Sequence, residues 1–166
     1  MKPFVFDSTP LIYLGKAKVL SLLPSLSKRN IIPQSVYDEV VIQGKQKGAL
    51  DAVYIESLIP KVLVVMEARS KIKSLENNPN LEKGEIDVLS IAKDLPGIAI
   101  LDDLAARSAA DVEGIEKGGS IYLLFSLLRK KVIRKEQCRK IIEEMLFNGW
   151  RCSTEMYALI LRELER

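Results

Sequence analysis

Four short apolar runs set the terms for this chain: FVF at 4–6, NII at 30–32, VLVVM at 62–66 and IAIL at 98–101. None is joined to the next by a hairpin turn, and segments with helical spacing lie between them. Runs this short, apolar at consecutive positions, read as strands covered on both faces. Strands alternating with helices pair in parallel. The expected fold class is therefore α/β, a three-layer α/β/α sandwich with a central parallel sheet of four to five strands. VEGI at 112–115 is the candidate for a short edge strand.

Spacing and end signals predict the helices. They fall at 17–27, broken at Pro24, and at 34–42, following Pro33, which suits a first helical turn. Further helices are expected at 83–94, 103–112 and 120–130, the last capped by Ser120. Two more, at about 135–147 and 154–165, are separated by the stop signal Asn148-Gly149. LENNPNLEKG at 75–84 reads as a loop. The 166 residues are expected to form one domain, with a core over about 1–130 and a C-terminal helical extension over about 131–166.

Composition narrows the chemistry sharply. The chain has no histidine, which removes His-based general bases, Ser-His-Asp triads and most zinc sites. Cys138 and Cys152 lack metal-site spacing and are expected to be free thiols. The N-terminal stretch is interrupted by Pro3, Asp7 and Pro10 and does not read as a signal peptide, and no run suits a membrane helix. A cytoplasmic protein is expected. The net charge of +3 leaves nucleic-acid binding open without requiring it.

What remains is chemistry by carboxylates, hydroxyls, amines or a hard metal held by oxygen, and the carboxylates are the most suggestively placed. In an open parallel sheet, ligands bind where the strands end, at the carboxyl edge. The first run ends on Asp7 and the fourth on Asp102 and Asp103. Asp7 also suits a helix cap, and one of the two later aspartates suits a cap as well; the sequence does not choose which. Glu85 heads a stripe with Val88, Leu89 and Ala92, spaced to share one helix face. It therefore points toward the sheet, whereas Asp87 lies off the stripe and fits a simple dipole interaction. Ser35 and Asp38 have capping-box spacing, which leaves Glu39 without a local role.

Converging acids need relief. Two like charges about 4 Å apart repel by about 4 kcal/mol at an effective dielectric near 20, against a total stability of only about 5–15 kcal/mol. Either protons stay on or a divalent ion neutralises the set, and oxygen-only ligands favour Mg²⁺ or Mn²⁺.

Taken in order, FDSTPLIYL, IIPQSVYDEV, KGEIDVLSIAKD and ILDDLAARSAADVEGIEKGGSIYLLFSLLRK resemble the four motif blocks of the PIN-domain family of nucleases. The two-aspartate fourth block is most similar to VapC-like toxins. The resemblance covers about the first 130 residues. It implies an endoribonuclease using Mg²⁺ or Mn²⁺, with Asp7, Glu39, Glu85, Asp102 and Asp103 as catalytic acids. Asp7, Glu85 and Asp102 or Asp103 would hold the metal. It further implies an RNA substrate, an antitoxin partner and a homodimer. Many relatives carry a single acid preceded by Thr where this chain has LDD, so the roles of Asp102 and Asp103 stay open.

Other features carry weaker signals. RKKVIRKEQCRK at 129–140 holds seven basic residues and suits either phosphate binding or a solvated face. Arg107 is spaced for ion pairs with Asp103 and Asp111. Tyr157, Ile160, Leu161 and Leu164 form a stripe on the last helix, for packing or for a partner. Two rival functions compete with the nuclease: a non-catalytic nucleic-acid-binding or assembly domain, and an aspartate phosphotransfer domain. The second expects a lysine at a strand end, and none follows VLVVM or IAIL.

Overall fold

A computed structural model describes all residues, 1–166. Its five strands are β1 (Phe4–Phe6), β2 (Asn30–Pro33), β3 (Leu63–Met66), β4 (Ile98–Ile100) and β5 (Lys117–Gly118). They form one sheet in the order β3-β2-β1-β4-β5, and every pairing is parallel. All residues of β1, β2 and β4 are buried, as consecutive apolar residues require when helices cover both faces. The expected three-layer α/β/α sandwich is the architecture observed.

Helix α1 (Ser8–Lys16) leaves β1 directly, and α2 (Gln34–Tyr37) leaves β2. Helix α2 continues as a π-helical stretch, Asp38–Gln43, into the short α3 (Gly44–Gln46), and α4 (Leu50–Ser57) follows. Helix α5 (Lys83–Asp94) crosses β1, β2 and β4, with α6 (Leu104–Val112) packed beside it. The chain ends with α7 (Ser120–Arg129), α8 (Lys135–Phe147) and α9 (Thr154–Glu165). Buried side chains of α8 and α9, among them Met145, Ile160 and Leu164, belong to the same contiguous core as the sheet.

Several local expectations change. The segment 17–27 is not one helix. Lys18 turns left-handed at φ 56° just past α1, and only a 3-10 turn, Leu20–Ser25, surrounds Pro24, whose missing N–H disfavours a longer helix. Helix α4 was not signalled because its apolar residues do not share a stripe: Ala52 and Ile55 are buried, while Leu50 and Val53 face solvent. The edge strand is Lys117–Gly118, not 112–115, because α6 runs to Val112 and turns at Gly114. Gly149 adopts φ 101° after α8, the left-handed stop that Asn148-Gly149 foretold. Cys138 and Cys152 are free thiols. No helix is long and apolar enough to cross a membrane.

Candidate functional site

The strand order reverses between β1 and β4, and at such a switch point the loops beyond the strands diverge to opposite faces and leave a crevice. The two strands end level, with Phe6 opposite Ile100 and the Asp7 N–H donating to the Ile100 carbonyl at 3.1 Å. Asp7 and Leu101-Asp102-Asp103 therefore emerge side by side. Asp7 occupies the N-cap position of α1, yet its carboxylate makes no capping bond. It is 5% exposed. Capping is not its role.

Glu39 arrives from the π-helical stretch. A π turn widens a helix by one residue and is a frequent way of re-aiming a functional side chain. Ser8 Oγ donates to Glu39 Oε2 at 2.7 Å, joining the residue after Asp7 to the second acid. Gly84 packs against the same pair: a Cβ there would lie 3.8 Å from Asp7 Oδ1, 4.0 Å from Glu39 Oε2 and 3.1 Å from Val36 Cγ2. Glu85 follows in the first turn of α5, buried as its stripe implied. Its Oε2 accepts the Glu82 N–H at 2.8 Å, closing a capping box.

The two adjacent aspartates divide the work. Asp103 is the cap, with Oδ1 accepting the Ala106 N–H of α6 at 2.9 Å. Asp102 is turned the other way. Its Oδ1 accepts the Ser120 N–H at 2.8 Å, and its Oδ2 accepts Ser120 Oγ at 2.6 Å and the Trp150 indole N–H at 3.0 Å. Ser120 is thus the first residue of α7 and serves Asp102, where it was expected to cap its own helix. Gly119 permits the approach, because a Cβ there would stand 2.7 Å from Asp102 Oδ1 and 3.1 Å from the Leu101 carbonyl.

None of the five acids forms an ion pair. Burial holds the Asp7 carboxyl up at about 7, against a partial lowering by the Ser8 N–H, and Glu85, Glu39 and Asp102 push it further upward. Glu85 is also raised, first by burial and then, against the Glu82 N–H, by Asp103, Glu82 and Glu39. The charges of Glu39, Glu85 and Asp102 thus reach Asp7, and that of Asp103 reaches Glu85. The donors are oxygen-only, as a hard divalent cation prefers. Gly84 keeps the approach to Asp7 and Glu39 free of a side chain. In kind, the residues fit such an ion. As placed, however, no three of them converge tightly enough to grip one; Glu39, Glu85, Asp102 and Asp103 are engaged in the bonds described above.

Three other expectations are corrected. Arg107 pairs with neither Asp103 nor Asp111; its Nη1 donates to the carbonyls of Leu101 and Gly118 at 2.9 and 3.1 Å, clamping the ends of β4 and β5. Asp111 pairs instead with Lys117. Ser35 does not form a capping box with Asp38 but donates to Asp87 Oδ2 at 2.5 Å. Asp87 is itself buried at 6% exposure, with Lys71 Nζ 3.7 Å from its Oδ1, because α5 is covered on all sides from Gly84 to Ala92. Of the two readings of the basic segment 129–140, an exposed face away from the acids is the one observed. Helix α7 begins at the site and runs about 15 Å away from it, so the segment lies at the opposite edge of the sheet, where Lys130 Nζ reaches the Ser25 carbonyl.

The family model described as "DUF3368: PIN domain" matches residues 3–166. This chain belongs to the PIN-domain family. The match runs through both C-terminal helices, beyond the blocks that carried the resemblance. Among solved structures, this PIN domain is similar to "A domain of a functionally unknown protein from Methanocaldococcus jannaschii DSM 2661", 21% identical, covering 72% of this chain and 91% of that chain with a TM-score of 0.49. No protein of curated function matches in sequence. Sequence reasoning missed Ser120 and Trp150 as partners of Asp102. The available signals were the Gly118-Gly119 turn ahead of Ser120 and a lone tryptophan placed just after a helix stop.

Proposed function

We propose that this PIN domain is a divalent-metal-dependent endoribonuclease that hydrolyses RNA phosphodiesters to leave 5′-phosphate and 3′-hydroxyl ends. The observation that carries this reading is a buried Asp7 at the switch point, raised by the charges of Glu85, Glu39 and Asp102, with Glu85 raised in turn by Asp103, and none of the five in an ion pair. Asp7, Glu85 and Asp102 or Asp103 are the proposed holders of Mg²⁺ or Mn²⁺, and Glu39 completes the set. A bound divalent ion supplies neutralising charge and activates water for in-line attack at phosphorus. The chain's own contribution is placement. Ser8 orients Glu39, the first turn of α6 fixes Asp103, and Ser120 with Trp150 fixes Asp102. Without an ion, Asp7 holds its proton below about pH 7.

Incubating the protein with total RNA and Mn²⁺ is expected to give fragments with 5′-phosphate ends, and EDTA is expected to abolish them. Mn²⁺ at about 100 times its Kd is expected to add about 2.7 kcal/mol to folding stability, read as a rise in melting temperature. The dispersed placement of the carboxylates favours a second reading, a non-catalytic RNA-binding or assembly module. That reading requires neither the fragments nor the thermal response. The toxin assignment within a toxin–antitoxin pair belongs to the nuclease reading. Its support is an apolar face on α9, where Met156, Tyr157 and Leu159 are exposed beside the buried Ile160 and Leu164 and suit an antitoxin or a second copy. A small overlapping reading frame upstream would mark such a pair.

A further inference from the structure

Next to Asp102 lies a cleft of about 480 Å³ in which only Trp150 and Gly119 of the other lining residues touch the acidic set. Leu104, Ile121, Tyr122 and Met156 give it apolar walls, and Arg107 and Arg151 bring two guanidinium groups to it. Leu104 is 80% exposed, Met156 41% and Tyr122 38%, so this apolar surface is open to solvent at the rim of a charged bowl. Arg107 is held through Nη1 by the Leu101 and Gly118 carbonyls, and its remaining N–H groups make no hydrogen bond. Neither arginine takes part in an ion pair.

The combination is selective. Apolar walls with an aromatic ring accept a flat, uncharged ring system, because stacking and apolar contact are indifferent to which base is offered. Guanidinium N–H groups without a partner donate to phosphate. The adjoining carboxylates repel a polyanion, so a strand crossing them needs cationic and apolar holds alongside. We infer that the cleft seats one nucleobase of single-stranded RNA, with its phosphate on Arg151 and Arg107, beside the phosphodiester that the acids address. The inference rests on the nuclease reading for the identity of the strand, but the residues that make the hold lie outside the acidic set.

The molecule carries its own reporter. Trp150, the single tryptophan of the chain, borders the same cleft, so its emission reads occupancy with EDTA present and no cleavage under way. Titration of the full chain with AMP or UMP is expected to change Trp150 emission saturably, while ribose 5-phosphate and inorganic phosphate do not. Arg151→Ala is expected to weaken the nucleotide about ten-fold, the size of one lost charge-assisted hydrogen bond. Leu104→Ala, at an exposed position, is expected to weaken it several-fold with no change in melting temperature. An equal response to ribose 5-phosphate, no saturable response to nucleotide, or titrations unchanged in both variants would each overturn the inference. RNA cleavage by an unresponsive protein removes the cleft and leaves the nuclease reading. Saturable nucleotide binding without cleavage removes the nuclease reading and leaves the cleft.

Discussion

Asp7→Asn is expected to cleave no RNA and, in EDTA at pH 8, to melt several degrees above the unaltered chain. The sign follows from burial. Asp7 titrates at about 7 in the folded chain, against 3.8 for a free aspartate, so folding favours its protonated form. That contribution to stability is complete below about pH 4 and is lost as pH rises through about 7, by up to roughly 4 kcal/mol. Asparagine has nearly the same shape and no charge to bury, so the variant escapes this loss. Calorimetry at pH 4 and pH 8 checks the prediction: the two proteins should be similar in acid and separate in base. Mn²⁺ should then close the gap, because the ion stabilises only the protein that keeps the carboxylate. A variant that melts lower at pH 8 would make Asp7 a structural residue.

Asp102→Ala is expected to destabilise the fold by about 3–5 kcal/mol. The aspartate accepts three hydrogen bonds, from the Ser120 N–H, Ser120 Oγ and the Trp150 indole. Removing the acceptor strands all three donors, and an unsatisfied buried group costs about 1–3 kcal/mol. Relief of repulsion offsets only part of this, since Asp102 acts on Asp7 less than Glu85 or Glu39 does. Asp103→Ala removes a single helix cap, a loss of about 1 kcal/mol. Denaturant unfolding of the two variants should therefore differ by a wide margin although the residues are neighbours. Equal losses would show that the indole and hydroxyl bonds contribute little.

The sheet and the positions of Asp7 and Asp102 at its carboxyl edge were legible in the sequence because they depend on local pattern. Strands buried on both faces must be continuously apolar, and an acid just past such a strand reaches the carboxyl edge whatever the helices do. Glu85 was legible from its stripe. Asp87 was not, because periodicity assumes a helix with one wet face and α5 has none. The division between Asp102 and Asp103 was hidden for a different reason: it is decided by Ser120 and Trp150, 18 and 48 positions away. Long-range partners of that kind leave no spacing rule. The basic run at 129–140 stayed open between phosphate binding and a solvated face because density of charge along a chain says nothing about which end of a helix the charge occupies.

The indole bond to Asp102 ties the C-terminal segment to the carboxyl edge of the sheet. Proteolytic trimming after Phe147 would spare every acid and still take away the Trp150 donor that steadies one of them. A protease, or a binding protein that pries the tail loose, thus has a lever on Asp102 that never touches it.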